Sequence, residues 1–351
     1  MYFAEYLPRV NCVTVVLDFG GEPITKINKV PDANPPILEL VTNEKTYNIR
    51  IPVKTDGDVQ LTNVKKVSDK SLMLNVKLSD EKGREEGFMG QQVRWSCKDL
   101  MNKTPKVNKS NRFNFQCSKC NKVIIDSENF KFQDMPSEFW YELMDFWHCH
   151  KPHNDQTTDK NYNGFLKPKS DDTVIIGNHY ILFNQNDNVV VDNNISCINC
   201  GSVLGDYYQK TCRVLKWNIK LEYEVSGNSI QEEFPTHVFF YNLLLDKINS
   251  LAARKFRLQH QEKSWYIWVM NIGLNITIND AIQNNALKLL FFSDDGNNLE
   301  YDDYEPIDVS PELLQEFAEK LLEINSLLPT NCSSLTIKDK TYKISYLSQE
   351  G

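Results

Sequence analysis

Four cysteines arranged as two Cys-x-x-Cys pairs constrain the fold of this 351-residue chain more than any other feature. The pairs are Cys117/Cys120 and Cys197/Cys200, and residues 121–196 separate them. Each pair has the spacing of one half of a tetrahedral zinc site, and four thiolates saturate the ion. We therefore expect one structural zinc ion that joins two distant stretches of chain. The alternative is that both pairs are buried thiols that bind no metal.

Composition narrows the class of protein. A chain of this length has room for about two domains, and its 41% of hydrophobic residues is typical of a packed globular protein. A formal net charge of −8 argues against a broad surface that binds a nucleic-acid backbone. No apolar run reaches the roughly 18 residues of a membrane span, and the first residues do not resemble a signal peptide. We expect no direct nucleic-acid partner, no membrane partner, and a location in nucleus and cytoplasm.

Three consecutive segments are expected, in an α+β fold without an internal repeat. Residues 1–112 contain short, mostly alternating apolar runs between turn residues, which indicate a β-rich sandwich or barrel-like domain. Its predicted strands are 13–17, 37–41, 47–51, 72–76 and 92–95, followed by a polar loop at 102–111.

The second segment, residues 113–212, is predicted to be a zinc-knuckle region with a helix and a long loop. A helix is expected at 137–147, where apolar residues recur at helical spacing after Ser137. The loop follows at 148–169, and strands at 174–177 and 180–183 lead back to the second cysteine pair. The zinc ion would then clamp this central insertion.

The third segment, residues 213–351, is predicted to be an α+β domain. Its expected order is strand 214–225, helix 237–259, strand 265–271, strand 287–292, helix 311–327 and strand 341–347. Pro311 in the first turn, after Ser310 as the capping residue, supports the second helix.

The sequence Trp147-His148-Cys149-His150 is the main candidate for function, because it places a thiol and imidazoles at the start of the long loop. One interpretation is a set of further zinc ligands, or a second zinc site completed by Cys97, Cys212 or His179. The other is a thiol that zinc does not use, with its pKa lowered by protonated histidines. Such a thiol accepts an acyl group by thioester exchange or binds a metal ion that belongs to a partner.

Two motifs resemble those of a known family. Residues 135–150 read Met-Pro-Ser-x-x-Trp-x-Glu-Leu-x-Asp-x-Trp-x-Cys-His, and residues 197–205 read Cys-x-x-Cys-Gly-x-x-Leu-Gly. Both are similar to motifs of the HECT-like ubiquitin-conjugating-enzyme-binding family. The resemblance extends along nearly the whole chain and is greatest to the fungal branch, named for its importance in pre-mRNA cleavage and polyadenylation.

The resemblance implies two partners, a ubiquitin-conjugating enzyme and the metallo-β-lactamase-type endonuclease of pre-mRNA 3′-end processing. The favoured hypothesis is an accessory or assembly factor for cleavage and polyadenylation that binds and holds this endonuclease, with a zinc-stabilised loop presenting Cys149 and its neighbours Trp147, His148 and His150. The alternative is a HECT-like ubiquitin-protein ligase that binds the conjugating enzyme and transfers ubiquitin through a Cys149 thioester. Cys332 near the C-terminus is expected to be incidental, because no histidine follows it.

Overall fold

The computed structural model describes residues 1–30, 33–55, 59–79, 93–104, 106–107, 110–135, 167–208, 210–260, 263–294 and 303–350. The predicted helix at 137–147 lies outside these residues, as do Trp147, His148, Cys149 and His150. The described fold is mostly β with a few helices, in agreement with the α+β class. None of its helices combines the length and apolar character that crossing a membrane requires.

The elements are as follows. The strands in the first part of the chain are β1 Tyr2–Leu7, β2 Cys12–Asp18, β3 Ile24–Lys29, β4 Ile37–Thr42, β5 Thr46–Arg50, β6 Val59–Ser68, β7 Ser71–Leu78, β8 Lys106–Val107, β9 Ser110–Asn111, β10 Phe113–Cys117, β11 Val123–Asp126 and β12 Lys131–Asp134. The later strands are β13 Thr173–Ile176, β14 Tyr180–Phe183, β15 Val189–Val191, β16 Asn194–Cys197, β17 Val203–Tyr208, β18 Thr211–Leu215, β19 Ile219–Val225, β20 Asn228–Glu233, β21 Lys255–His260, β22 Lys263–Ile278, β23 Ala281–Asp294, β24 Glu305–Asp308, β25 Ser334–Ile337 and β26 Lys340–Leu347. The helices are α1 Cys97–Lys103, α2 Thr236–Leu251 and α3 Pro311–Ser326, with 3-10 turns at Lys216–Asn218 and Thr330–Cys332.

The chain forms two compact units, and one of them is discontinuous in sequence. The first unit consists of Met1–Gln91 and Ala253–Gly351, and the second of Gln92–Ala252. These bounds differ from the three consecutive segments 1–112, 113–212 and 213–351. The physical reason is strand pairing, since β1 lies antiparallel to β22, with Phe3 opposite Ile278.

The first unit contains a ten-stranded sheet, eight of whose strands have the order β25-β26-β23-β22-β1-β2-β7-β6. Of the other two strands, β21 pairs with β22 and β24 pairs with β21. A three-stranded sheet, β3-β4-β5, packs on the N-terminal strands, because Leu40 and Ile49 share one buried cluster with Val13, Val15 and Leu74. The N-terminal strands therefore form two packed layers, and one of these layers continues into the C-terminal half of the chain.

Most of the predicted N-terminal strands are confirmed. The strand predicted at 92–95 is wrong for residues 93–95, and residue 92 lies outside the described residues. The predictions at 13–17, 37–41, 47–51 and 72–76 correspond to β2, β4, β5 and β7. Arg94 and Trp95 instead lie in a turn, where the Trp95 amide donates to the Asp99 carboxylate at 2.7 Å. The Ser96 hydroxyl then accepts from the Asp99 amide and caps α1. The predicted loop at 102–111 contains the end of α1 and the hairpin of β8 and β9.

The two predicted C-terminal helices have different outcomes. Helix α3 is confirmed, and the Ser310 hydroxyl accepts from the Leu313 amide at its N-terminus. The helix predicted at 237–259 ends at Leu251, because Ala252 adopts a left-handed conformation with φ of 52°. The following residues form β21, in which Phe256 and Leu258 are buried and their neighbours are partly exposed, as a strand requires.

The second unit contains a four-stranded sheet, β11-β10-β19-β20, and a seven-stranded sheet, β12-β13-β14-β18-β17-β16-β15. The strand predicted at 214–225 is divided between them, because the 3-10 turn at Lys216–Asn218 separates β18 from β19. An aromatic cluster is buried in this unit. Its ring centroids are 4.9 to 6.1 Å apart, and its members are Trp95, Phe113, Phe115, Phe132 and Phe234.

Lys216, in the turn between the two sheets, is a fully buried lysine. Its Nζ donates to the Arg94 carbonyl at 3.0 Å and lies 5.2 Å from the centroid of the Phe234 ring. Burial lowers the pKa of this amine to about 7, although nearby carboxylates, foremost that of Asp134, act to raise it. Lys216 therefore couples the stability of this unit to pH.

We predict that Lys216→Met changes how stability depends on pH. Above pH 7 the folded chain holds this amine largely neutral, whereas the unfolded chain keeps it protonated up to about pH 10. The unfolded state binds the extra proton, so this lysine makes the wild type more stable as pH rises through this window, by at most about 1.4 kcal/mol per pH unit. The free energy of unfolding is measured with urea at pH 7, 8 and 9. Its rise with pH should lose this contribution in Lys216→Met and keep it in the exposed control Lys98→Met. If the free energy of unfolding changed with pH in the same way in all three proteins, the lowered pKa of Lys216 would be wrong.

Candidate metal centre

The two cysteine pairs lie in the loops of two hairpins with the same backbone hydrogen bonds. Cys117 ends β10 and Cys197 ends β16. In the first hairpin the Cys117 amide donates to the Lys122 carbonyl at 2.9 Å. In the second, the Cys197 amide donates to the Ser202 carbonyl, also at 2.9 Å. Both loops therefore close in the same way around their cysteines.

The residue after each pair has a left-handed backbone, which completes the turn. Asn121 has φ of 59° and Gly201 has φ of 70°, and asparagine and glycine are the residue types that adopt this conformation most readily. Their amides donate to the carbonyls of Cys117 and Cys197, at 3.0 and 2.9 Å. The same turn is thus built twice.

The equivalence extends into the strands and reveals a repeat that the sequence analysis did not find. Residues 114–126 and 194–206 both read Asn-x-x-Cys-x-x-Cys-x-x-Val-x-x-Asp. Each hairpin also has one bulge at the same place, because its register skips Ile124 in the first copy and Leu204 in the second. We call the two copies knuckle 1 (residues 114–126) and knuckle 2 (residues 194–206).

The four sulfur atoms converge. Cys117 Sγ lies 3.7 Å from Cys200 Sγ, Cys120 Sγ lies 3.6 Å from Cys197 Sγ, and all four lie within 4.8 Å of one another. The edge of a zinc–sulfur tetrahedron is about 3.8 Å, since each zinc–sulfur bond is about 2.3 Å. A disulfide would bring two sulfurs to about 2.0 Å. The spacing fits four ligands of one metal ion and does not fit two disulfides.

The cysteines of the cluster differ in how readily they lose their thiol protons. Burial raises the pKa of Cys117 to about 12, against the backbone hydrogen bonds of Lys119 and Cys120 that act to lower it. Burial likewise raises the pKa of Cys197. On the exposed side, hydrogen bonds from Ser202 lower the pKa of Cys200 to about 6. Because buried thiolates are costly without a counter-charge, a bound cation would take the place of the thiol protons.

Two asparagines tie the knuckles together in an equivalent way. The Asn218 carbonyl accepts from the Ser118 amide of knuckle 1 at 3.0 Å, and its side chain donates to the Leu204 carbonyl of knuckle 2 at 3.1 Å. The Asn188 carbonyl accepts from the Ile198 amide at 3.2 Å, and its side chain donates to the Ile124 carbonyl at 3.3 Å. Each asparagine therefore contacts the turn of one knuckle and the bulge of the other.

The remaining described cysteines and His179 lie apart from this centre. The Cys97 amide donates to the Asp134 carboxylate, Cys212 is buried in β18, and His179 Nδ1 lies 2.7 Å from an oxygen of Asp246. In the part of the chain that the structure describes, the four cysteines form the one group of three or more potential metal ligands. A second site that Cys97, Cys212 or His179 would complete also needs Cys149 and His150, which lie outside the described residues, so it stays a prediction.

Cys332 has no features of a nucleophile. It lies at the end of a 3-10 turn, is half-buried, and packs against a hydrophobic cluster of the first unit. Burial raises the pKa of its thiol to about 11, so little thiolate is present at neutral pH. The absence of a role for Cys332 stays a prediction.

We predict that Cys117→Ser removes the metal ion and destabilises the second unit. Loss of one of four ligands opens the coordination shell and leaves three thiolates in a partly buried cluster. Zinc content by atomic absorption should fall well below one ion per chain, and thermal unfolding should occur at a lower temperature. Cys12→Ser, outside the cluster, is the matched control and should keep its zinc. If Cys117→Ser kept one zinc ion per chain, Cys117 would not be a ligand of the metal ion.

We predict that Asn218→Ala keeps the fold but weakens metal binding. The substitution leaves the backbone contact to Ser118 and removes the hydrogen bond to the knuckle 2 bulge. Loss of such outer contacts typically lowers metal affinity about 10- to 100-fold. Competition with a chromophoric chelator measures the affinity. Asn188→Ala should have a smaller effect, because the Ile124 carbonyl also accepts from the Asn186 side chain at 3.0 Å. Asn114→Ala, which changes a side chain bonded to Glu222, is the control.

Comparison with known proteins gives two findings. The chain matches the family model described as HECT-like ubiquitin-conjugating enzyme (E2)-binding over residues 5–338. It is also similar to the uncharacterized protein YJR141W of Saccharomyces cerevisiae, with 28% identity over 353 residues that cover 95% of this chain and 96% of the relative. No solved structure matches the chain significantly.

Proposed function

Because the chain belongs to the HECT-like ubiquitin-conjugating-enzyme-binding family, we propose that it binds a ubiquitin-conjugating enzyme and uses one structural zinc ion to stabilise the binding unit. The observation that carries the proposal is the family match, which covers nearly all of the chain, including both knuckles. The convergence of the four sulfurs supports zinc at Cys117, Cys120, Cys197 and Cys200.

The ligand set determines what this zinc ion does. Four thiolates fill its coordination shell and leave no position for water or substrate. The ion therefore stabilises the second unit by joining two sheets, since knuckle 1 belongs to the four-stranded sheet and knuckle 2 to the seven-stranded sheet. Ubiquitin transfer is then carried out by the bound ubiquitin-conjugating enzyme, unless a cysteine of this chain accepts ubiquitin.

Cys149 is the residue that would make the protein a ligase. The segment that carries it leaves the described residues after Met135 and returns at Lys167. The strands on either side, β12 and β13, are parallel neighbours in the seven-stranded sheet that also contains knuckle 2. In the order of that sheet, β14 and β18 separate them from the knuckle 2 strands, so strand pairing itself holds both ends of the segment. A thioester on Cys149, with His148 or His150 assisting its deprotonation, is the more specific form of the proposal.

The role in pre-mRNA 3′-end processing stays a prediction from the motif at residues 135–150. In that hypothesis Cys149 and His150 bind at the metal site of the endonuclease and hold it inactive until assembly. Neither the family description nor the description of the yeast relative mentions RNA processing. Co-purification of the endonuclease with wild-type protein, and its loss with Cys149→Ala, would support this second role.

We predict that the purified protein binds at least one member of a panel of ubiquitin-conjugating enzymes. Immobilised wild-type protein should retain the enzyme, and removal of zinc by a strong chelator should abolish retention because the binding unit loses its metal. Retention of no enzyme in the panel would contradict the proposed function.

A second experiment distinguishes a binding factor from a ligase. The wild-type protein, Cys149→Ala and the control Cys12→Ala are each mixed with ubiquitin-charged conjugating enzyme. The products are then separated by electrophoresis without reductant. A reductant-sensitive ubiquitin adduct that disappears only in Cys149→Ala identifies a thioester ligase. Binding without any adduct leaves the protein as a binding factor.

A further inference from the structure

The four sulfur ligands of the metal centre differ in their access to solvent. Cys117 and Cys197 are buried at the ends of β10 and β16, Cys120 is half-buried, and Cys200 is exposed. Among the cysteines that the structure describes, Cys200 is the exposed one. The space beside its turn is open, because a Cβ atom on Gly201 would lie more than 4 Å from every residue except its chain neighbours. A small reagent in solution therefore reaches Cys200 more readily than the other three sulfurs.

Exposure decides which of these cysteines reacts with an oxidant when zinc is bound. All four ligands are then thiolates, which are the reactive form of cysteine. Oxidation by a peroxide follows thiolate character and access to solvent. Outside the cluster, burial raises the thiol pKa of the half-buried Cys12 and Cys332, so these two are mostly protonated at neutral pH. Cys200 combines thiolate character with exposure.

The sulfurs are in contact across the two knuckles. Cys200 Sγ lies 3.7 Å from Cys117 Sγ, and Cys197 Sγ lies 3.6 Å from Cys120 Sγ. The two contacts involve all four sulfurs, and each contact joins knuckle 1 to knuckle 2. The sulfurs of a disulfide are about 2.0 Å apart, so rotation of the side chains by a modest amount closes either contact into a bond. Cys200 therefore has a partner for a disulfide in the other knuckle.

We propose that the metal centre is a redox-sensitive link between the two sheets of the second unit, in which a peroxide oxidises Cys200, Cys117 forms a disulfide with it, and the zinc ion leaves. The inference rests on the zinc site of the proposed function. It adds a response to oxidants of the hydroperoxide class, and it assigns different roles to the four ligands.

The reaction has two steps. In the first, Cys200 Sγ attacks hydrogen peroxide, so an S–O bond forms, the O–O bond breaks and hydroxide leaves, which gives a sulfenic acid. In the second, Cys117 Sγ attacks the oxidised sulfur, so the S–S bond forms, the S–O bond breaks and a second hydroxide leaves. The two thiolates lose two electrons, and the peroxide is reduced to two hydroxide ions, which take up protons to form water.

The oxidised centre keeps the two sheets joined. A zinc ion that has lost two of its four thiolates is weakly held and leaves. The disulfide then connects Cys117, in the four-stranded sheet, with Cys200, in the turn after β16 of the seven-stranded sheet. A second molecule of peroxide closes the contact between Cys120 and Cys197 in the same way. Disulfides within each Cys-x-x-Cys pair would instead leave the sheets with neither a metal nor a covalent link.

Peptide mapping distinguishes these two outcomes because Lys119 lies between the cysteines of knuckle 1. Trypsin cleaves after lysine and arginine, so it places Cys117 in residues 113–119, Cys120 in residues 120–122, and both cysteines of knuckle 2 in residues 170–210. Zinc-loaded protein is treated with a small excess of hydrogen peroxide, alkylated, digested without reductant and analysed by mass spectrometry. A chromophoric chelator records zinc release in the same samples.

We expect release of about one zinc ion per chain, together with a disulfide that joins residues 113–119 to residues 170–210. A 1,3-diketone that traps sulfenic acids should label Cys200 first. The control Cys12→Ser, which lacks a thiol outside the cluster, should release zinc as the wild type does. A disulfide confined to residues 170–210, a link from these residues to the peptide that carries Cys149, or first labelling of another cysteine would overturn the inference.

Thermal unfolding provides an independent measurement on the same protein. Oxidised, zinc-free protein should unfold at a higher temperature than reduced, zinc-free protein, because its two sheets are covalently joined. Equal unfolding temperatures would overturn the inference. Zinc that stays bound during peroxide treatment would also overturn it and would leave the zinc site of the proposed function intact. Reduced protein that holds no zinc would remove that site and this inference together.

Discussion

The requirement that four cysteine sulfurs share one small volume organises the second unit. The sulfurs come from two hairpins in different sheets and lie within 4.8 Å of one another, and two of the four residues are buried. Burial disfavours the charged form of Cys117 and Cys197, and zinc binding would supply the positive charge that four thiolates require. Two asparagines fix the relative position of the hairpins from outside the sulfur cluster.

Comparison of knuckle 1 with knuckle 2 distinguishes positions that the metal site requires from positions that vary. Both copies share the asparagine, the two cysteines, the valine and the aspartate of the motif, together with a left-handed backbone after the second cysteine and a bulge at the same place. Several turn positions differ, because Ser118 and Lys122 in one copy correspond to Ile198 and Ser202 in the other. A repeat within one chain thus supplies the comparison that is otherwise made between homologues.

The sequence predicted the metal ligands more accurately than it predicted the strand topology, and the reason is physical. Cys-x-x-Cys spacing is a local geometric requirement, and the Ser310 cap of α3 is local as well. The end of α2 was missed because the alternation of Phe256 and Leu258 signals a strand only over a few residues. Asn188 and Asn218 could not be identified, since their partners are bulge carbonyls whose position depends on strand register. The pairing of Phe3 with Ile278 likewise has no local signal.

That pairing has a consequence for how the protein is made. During synthesis, β1 and β2 leave the ribosome long before β22 exists, so one side of β1 has no partner until the whole of the second unit has been translated. The second unit is continuous in sequence and contains all four sulfurs, so it can fold and acquire its ion during this delay. A premature stop between the two units would leave the N-terminal strands with an unpaired edge, the kind of surface on which chains aggregate and which chaperones recognise.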